Sequence, residues 1–230
     1  MSAALGTRPS LYSTAVGKKY VMAISGMVLM LFVLAHMVGN LKVYFGATAL
    51  DNYSHWLREV GEPALPRQAL LWGVRVALIV AVVAHITAAY QLTMINRRAR
   101  PEAYRSKRDY VAADFASRTM RWTGIIVALF VIFHLLDLTW GTANPDFNSG
   151  DPYANIVASF QRVPVAIVYV VANLALAVHL YHGSWSLFQT MGWTWPRHNE
   201  WRRYFAIAFA TVIAIGNVSF PIAVVTGLVS

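Results

Sequence analysis

The chain has no cysteine. That rules out disulfides, thiolate zinc sites, iron–sulfur clusters held by its own side chains and covalent C-x-x-C-H cofactor attachment. Charge is the second shortage. Only 13% of its 230 residues are Asp, Glu, Lys or Arg, where a soluble domain carries roughly 25%. Acidic residues are the scarcest, 10 against 19 basic. With 57% hydrophobic residues, the shortage of charge points to lipid as the solvent. The length allows one membrane domain, residues 1–230, with little left over for a soluble module.

Five long apolar stretches carry the hydrophobic residues, at about 20–39, 69–95, 122–140, 163–191 and 204–228. Each can cross ~30 Å of hydrocarbon at about 1.5 Å per residue. A segment in lipid must satisfy its own backbone hydrogen bonds, so the expected fold is all-α with five transmembrane helices. Most prolines fall in the connections. Pro164 stands at the start of the fourth stretch, where a missing N–H costs little, and Pro221 predicts a kink in the fifth. Residues 1–17 are mixed and polar, and the first apolar run is too long for a signal-peptide core, so no secretory signal is expected.

Basic residues set the expected topology. Arg8, Lys18, Lys19, the cluster from Arg97 to Arg121 and Arg197, Arg202 and Arg203 put 14 of the 19 on one side. The other side holds Lys42, Arg58, Arg67 and Arg162, together with Asp51, Glu59, Glu62, Asp146 and Asp151. The positive-inside rule then puts the N-terminus in the cytoplasm and the C-terminus outside. The net charge of +9 therefore reads as anchoring to anionic headgroups, not as a nucleic-acid footprint. The basic connection 97–121, with Tyr104, Tyr110 and Phe115, is either a docking segment for a cytoplasmic partner or a solvated loop.

Histidines are the chemical signal. His36, His85, His134 and His182 lie one per stretch in the first four, at intervals of 49, 49 and 48 residues. No strict sequence repeat accompanies them. An imidazole in lipid is costly and usually functional. Helices one and three run outward, two and four inward. Depth therefore sorts the histidines into an outer pair, His36 with His134, and an inner pair, His85 with His182. His179, three residues earlier on nearly the same face, is a rival that depth does not separate from His182. Two imidazoles in each of two layers suit the axial positions of two haems held between helices of a four-helix bundle. With no cysteine, such haems are of the b type. Gly26, Gly39, Gly124 and Gly183 are expected to leave room for a flat macrocycle. His55 and His198 lie in loops and are not expected to be ligands.

Several stretches carry a family likeness: Lys18-Lys19-Tyr-Val-Met-Ala-Ile-Ser-Gly26, His36-Met-Val-Gly-Asn-Leu41, Asn52-Tyr-Ser-His-Trp-Leu57, and His179-Leu-Tyr-His182-Gly-Ser-Trp-Ser-Leu-Phe-Gln-Thr-Met-Gly192. Over nearly its whole length the chain resembles the diheme cytochrome b membrane anchor of succinate dehydrogenase and fumarate reductase, in its single-polypeptide, five-helix form. The resemblance implies a multi-pass protein of a bacterial cytoplasmic membrane, with an FAD flavoprotein and an iron–sulfur subunit as cytoplasmic partners. It also implies electron passage to or from a quinone, typically menaquinone, and no dicarboxylate site on this chain. It favours the histidine directly before glycine, His182, as the inner ligand. The same chemistry leaves open a cytochrome b of a hydrogenase or formate dehydrogenase. A transporter with a histidine proton relay is a rival from another class.

Quinone chemistry needs protons, and Glu59, Glu62 and Asp137 are the candidate carboxylates near the outer layer. Asp137 stands out because it lies inside an apolar run, one helical turn from His134. Trp193, Gln189 and Ser25 are the residues of an alternative inner site. Lys18, Arg75 and Arg121 are the expected partners of haem propionates.

Overall fold

A computed structural model describes residues 11–99, 115–193 and 199–230. The described residues form helices and turns only. Helix α1 (Ala15–Asn40) opens on Thr14, whose hydroxyl accepts the Gly17 N–H at 3.0 Å, and runs into a 3-10 turn, Leu41–Phe45. Gly46, at φ 89°, ends that turn in a backbone conformation that L side chains resist. Next come α2 (Ala47–Glu59), α3 (Ala69–Arg98), α4 (Phe115–Leu138), α5 (Pro152–Gln161), α6 (Val163–Thr190) and α7 (Asn199–Val225).

Helices α1, α3, α4, α6 and α7 are long and apolar enough to cross a membrane. The expected boundaries shift at several ends. The first span begins at Ala15 and the third ends at Leu138, where the Thr139 and Trp140 N–H groups both fold back onto Leu135 O. Pro221 lies inside α7 with its side chain buried, and the helix continues through it. Tyr104, Tyr110 and His198 lie outside the described residues. Phe115 begins α4, so the basic connection is shorter than its sequence suggested.

Two short helices, α2 and α5, fill connections that the sequence reading left without structure. Helix α5 carries a clear start signal: the Asp151 carboxylate accepts the Ala154 N–H at 2.9 Å, and Pro152 follows. The Asp51 carboxylate of α2 accepts the Tyr153 N–H at 3.2 Å, which ties the two short helices together. The Tyr153 hydroxyl donates to Ser230 O at 3.1 Å, so Ser230 joins the same cap.

The spanning helices pack as two antiparallel pairs, α1 on α3 and α4 on α6, with α7 laid along α6. Small residues Ala206 and Ala210 let α7 approach closely, around the fully buried Ile213. Across the two pairs, α1 with α4 and α3 with α6 make almost no backbone contact among the described residues. Side chains bridge that separation, and the histidines are among them.

Candidate functional site

Three of the four nominated histidines meet a partner ring across the helix pairs. His36 of α1 faces His134 of α4, ring centroids 5.9 Å apart and nearly perpendicular. His85 of α3 faces His179 of α6 at 6.3 Å. His182, nominated for that place, instead has its ring 6.5 Å from Trp185 on its own helix. The difference is one of helical phase. Three residues turn a helix by about 300°, so His182 sits about 60° off the His179 direction and a turn further along. Depth counting could not see that rotation.

Each meeting histidine also has one ring nitrogen engaged by a polar partner. His85 Nδ1 is 3.0 Å from Met22 O and 3.3 Å from Ser25 Oγ. His179 Nδ1 is 3.4 Å from Thr123 Oγ1, and the ring also bonds the backbone of Met120. His134 Nδ1 is 3.4 Å from the Tyr169 hydroxyl. His36 Nε2 is 3.3 Å from the Asn40 side-chain amide, and its ring stacks on Phe32 at 5.2 Å.

The partners of the inner pair share a pattern. Met22-x-x-Ser25-Gly26 stands ten residues before His36, and Met120-x-x-Thr123-Gly124 stands ten before His134. Both segments lie 98 residues apart, and each serves the histidine of its own helix pair. Here is an internal repeat that the sequence reading missed. The glycines explain part of it. A Cβ on Gly26 would stand 3.1 Å from His85 Cε1, and one on Gly124 would stand 3.4 Å from His179 Cε1. These glycines make room for imidazoles. Gly39 makes room for the Tyr53 ring, and Gly183 has Met120 Cε as its nearest neighbour.

The tiers can be separated by counting along one helix. Tyr169 marks the level of His134 on α6, and His179 lies ten residues further. At about 1.5 Å per residue the layers are about 15 Å apart. On α4, Thr123 and His134 give about 16 Å by the same count.

Among the carboxylates, Asp137 is fully buried and fully engaged. Arg162 Nη2 pairs with its Oδ1 at 2.6 Å, while Ser159 Oγ and the Tyr169 hydroxyl donate to Oδ2 at 2.5 and 2.9 Å. Arg162 Nη1 also donates to Ala143 O at 2.8 Å. The network closes the α5–α6 junction onto α4. Arg162 had been read only as an outer-side charge, and Ser159 and Tyr169 were not singled out. Tyr169 is a lone polar residue in an apolar run, which is the signal available for it; Ser159 and Arg162 stand with Gln161 in a short polar break between two apolar runs. Glu59, at the end of α2, is exposed and pairs with Arg67 at 3.2 Å; Glu62 is exposed in the turn that follows.

The remaining nominees are scattered. Ser25 serves His85, and Gln189 and Trp193 are exposed at the inner end of α6. Lys18 Nζ donates to Tyr12 O and Ser13 O, the Arg75 guanidinium lies 4.9 Å from the Trp72 ring centre, and Arg121 is exposed. His55 lies exposed on α2, apart from both pairs.

Comparison with known proteins finds no match among curated sequences and none among solved structures. A family model does match, over residues 95–218, more than half of the chain. The matched region holds α4, α5, α6, most of α7 and His134, His179 and Asp137; His36 and His85 precede it. Five membrane-length helices agree with that family's character, and the protein, a multi-pass membrane protein, belongs to the succinate dehydrogenase/fumarate reductase transmembrane subunit family.

Proposed function

We propose that this chain is the electron-carrying anchor of its complex, with two b haems, one held by His36 and His134 and the other by His85 and His179. The observation that carries the reading is the pair of imidazole contacts at 5.9 and 6.3 Å, in two tiers, between helices (α1 with α4, α3 with α6) whose backbones make almost no contact. A metal bound to two imidazole nitrogens, each at about 2 Å, separates the ring centres by about 6 Å. The two contacts match that spacing. The polar partners fit as well: a ligand histidine uses one nitrogen for the metal and the other for an orienting hydrogen bond. The Asn40 amide can serve His36 through either its oxygen or its nitrogen.

A haem held by either pair of histidines would supply one-electron transfer. The chain's own contribution is to hold two such sites about 15 Å apart along the helices. Electrons would pass between a cytoplasmic iron–sulfur subunit, itself next to an FAD subunit, and a membrane quinone, by this reading menaquinone. The excess of basic residues at the N-terminal ends of α1 and α4 favours the cytoplasm for that side. Glu59 and Glu62 are the proposed outer carboxylates for quinone protons. Asp137 serves the ligand, since its oxygens are already taken. Family membership sets this reading ahead of a hydrogenase or formate dehydrogenase cytochrome.

Haem quantification with a reduced-minus-oxidised spectrum tests the proposal. Two b haems per chain are expected. His179→Ala should lose one haem, the same one lost in His85→Ala, while His182→Ala should keep both. A colourless chain overturns the reading; loss of haem from His182→Ala but not His179→Ala overturns the inner ligand assignment.

A further inference from the structure

The two tiers are supported by different chemistry. In the inner tier, the engaged nitrogens of His85 and His179 meet only neutral groups, backbone of Met22 and Met120 and the hydroxyls of Ser25 and Thr123. In the outer tier, His134 meets the Tyr169 hydroxyl, and that hydroxyl donates its proton to a buried carboxylate. With the Tyr169 O–H directed at Asp137 Oδ2, the phenol oxygen is left as an acceptor towards His134, so His134 must donate from Nδ1. One tautomer is thereby selected, with Nε2 as the basic nitrogen.

The carboxylate is held in place by groups that do not touch the histidine. Ser159 donates to the same oxygen as Tyr169, and Arg162 pairs with the other oxygen. Tyr169 itself is buried at 4% exposure. Its ring is clamped edge-on by Phe130, Phe133 and Phe160, with centroids at 5.0, 5.9 and 4.8 Å. The hydroxyl therefore has little freedom to leave the line between His134 and Asp137. A buried, anchored carboxylate at the end of such a chain increases the basicity of the ligand imidazole. A more basic ligand favours ferric over ferrous iron.

We propose that Tyr169 and Asp137 are positioning residues for His134, a strut that fixes its tautomer and holds the outer haem at a lower potential than it would otherwise have. The proposal rests on the haem assignment above and deepens it for one tier. It concerns only the Nδ1 side of one ligand, so the inner tier should not respond.

The test is a potentiometric titration of both haems in the membrane-bound complex, with the outer haem identified by its loss in His36→Ala. Tyr169→Phe removes the hydroxyl and keeps the clamped ring. Ser159→Ala removes a donor from the same Asp137 oxygen but leaves the link to His134. With Tyr169→Phe, the ferric-to-ferrous ratio of the outer haem at fixed ambient potential should fall about tenfold, a rise of about 59 mV for a one-electron couple. The inner haem should be unmoved, and Ser159→Ala should shift the outer haem far less. Loss of the outer haem from Tyr169→Phe alone also supports the strut. Equal effects from both variants, shift or loss, overturn it, because the network would then act only through the fold. Two haems at wild-type potentials in Tyr169→Phe overturn it as well, while leaving the haem reading intact; a wild-type complex without haem defeats that reading instead.

Discussion

Gly26→Ala and Gly124→Ala make a matched pair of substitutions whose outcomes should differ in sign. Both glycines lie inside spanning helices, and alanine in a helix interior is favoured over glycine by about 1 kcal/mol. At Gly124 the new methyl would meet His179 Cε1 at 3.4 Å and Nδ1 at 3.7 Å, ordinary contact distances. Nothing needs to move, and the propensity gain stands. At Gly26 it would meet His85 Cε1 at 3.1 Å and Nδ1 at 3.4 Å. A 3.1 Å carbon contact lies several tenths of an ångström inside the optimum of about 3.5 Å, so the ring must retreat by a few tenths of an ångström. Its freedom to do so is small. Nδ1 is tied to Met22 O at 3.0 Å and Ser25 Oγ at 3.3 Å, and His179 stands across the tier. Overpacking of this kind costs about 1–3 kcal/mol, which outweighs the helical gain. At about 1.4 kcal/mol per decade, inner-haem affinity in Gly26→Ala should fall roughly tenfold. The assay is haem content per chain after dilution in detergent, with thermal melting of the same samples. Gly124→Ala should match or slightly exceed wild type in both. Equal behaviour of the two variants, or the reverse order, would refute the claim that Gly26 exists to seat His85.

Two further outcomes test the packing. Arg162→Ala leaves the fully buried Asp137 without its cation and should cost about 3–5 kcal/mol. Glu59→Ala breaks an exposed pair with Arg67 and should change melting by less than about 1 kcal/mol; comparable losses from the two would contradict the burial argument. A methyl on Gly216 would overlap Met37 Sδ and Cγ, so Gly216→Ala should destabilise by about 1–3 kcal/mol. Because methionine is flexible, Met37→Ala in the same chain should recover part of that loss, and strict additivity of the two changes would argue against the contact.

The five spans were legible because lipid allows only long apolar runs, and such runs can be counted in a sequence. The nearness of His36 to His134 was legible for the same reason: depth follows from residue count once direction is known. The short helices α2 and α5 were not, although Asp151-Pro152 is a start signal that a closer reading could have used. The Asp137 network escaped in part because it depends on where α5 ends and α6 begins. Ser159 and Arg162 straddle that junction, and no periodicity links them to Tyr169 or Asp137. The repeated Met-x-x-Ser/Thr-Gly segments were visible in the letters. They carried no meaning until the structure put each against the histidine of the neighbouring helix.

The choice between His179 and His182 shows where sequence counting stops and packing takes over. Residues of α6 advance by about 100° each around the helix axis. Its buried residues, Ala166, Tyr169, Ala172, Asn173, Leu180, Ser184, Leu187 and Phe188, recur at intervals of three, four and seven, with Ala172 and Phe188 at the edges. That pattern defines one buried stripe. Measured from Leu180 in that stripe, His179 lies about 100° round the helix and His182 about 160°. His179 therefore sits at the flank of that stripe, where α6 can present a ring to α3, while His182 points further round the helix, with its Nδ1 also buried. Helix α7 fixes this phase. Phe188 at the inner end of α6 is held edge-on by Trp201 and Phe205, at 4.7 and 5.3 Å. Ala206 and Ala210 admit the close approach. Turning α6 by the 60° needed to exchange the two histidines would swing the fully buried Ser184 out of the interface with it. The fifth spanning helix has no histidine of its own, yet by setting the rotation of α6 it determines which histidine faces His85.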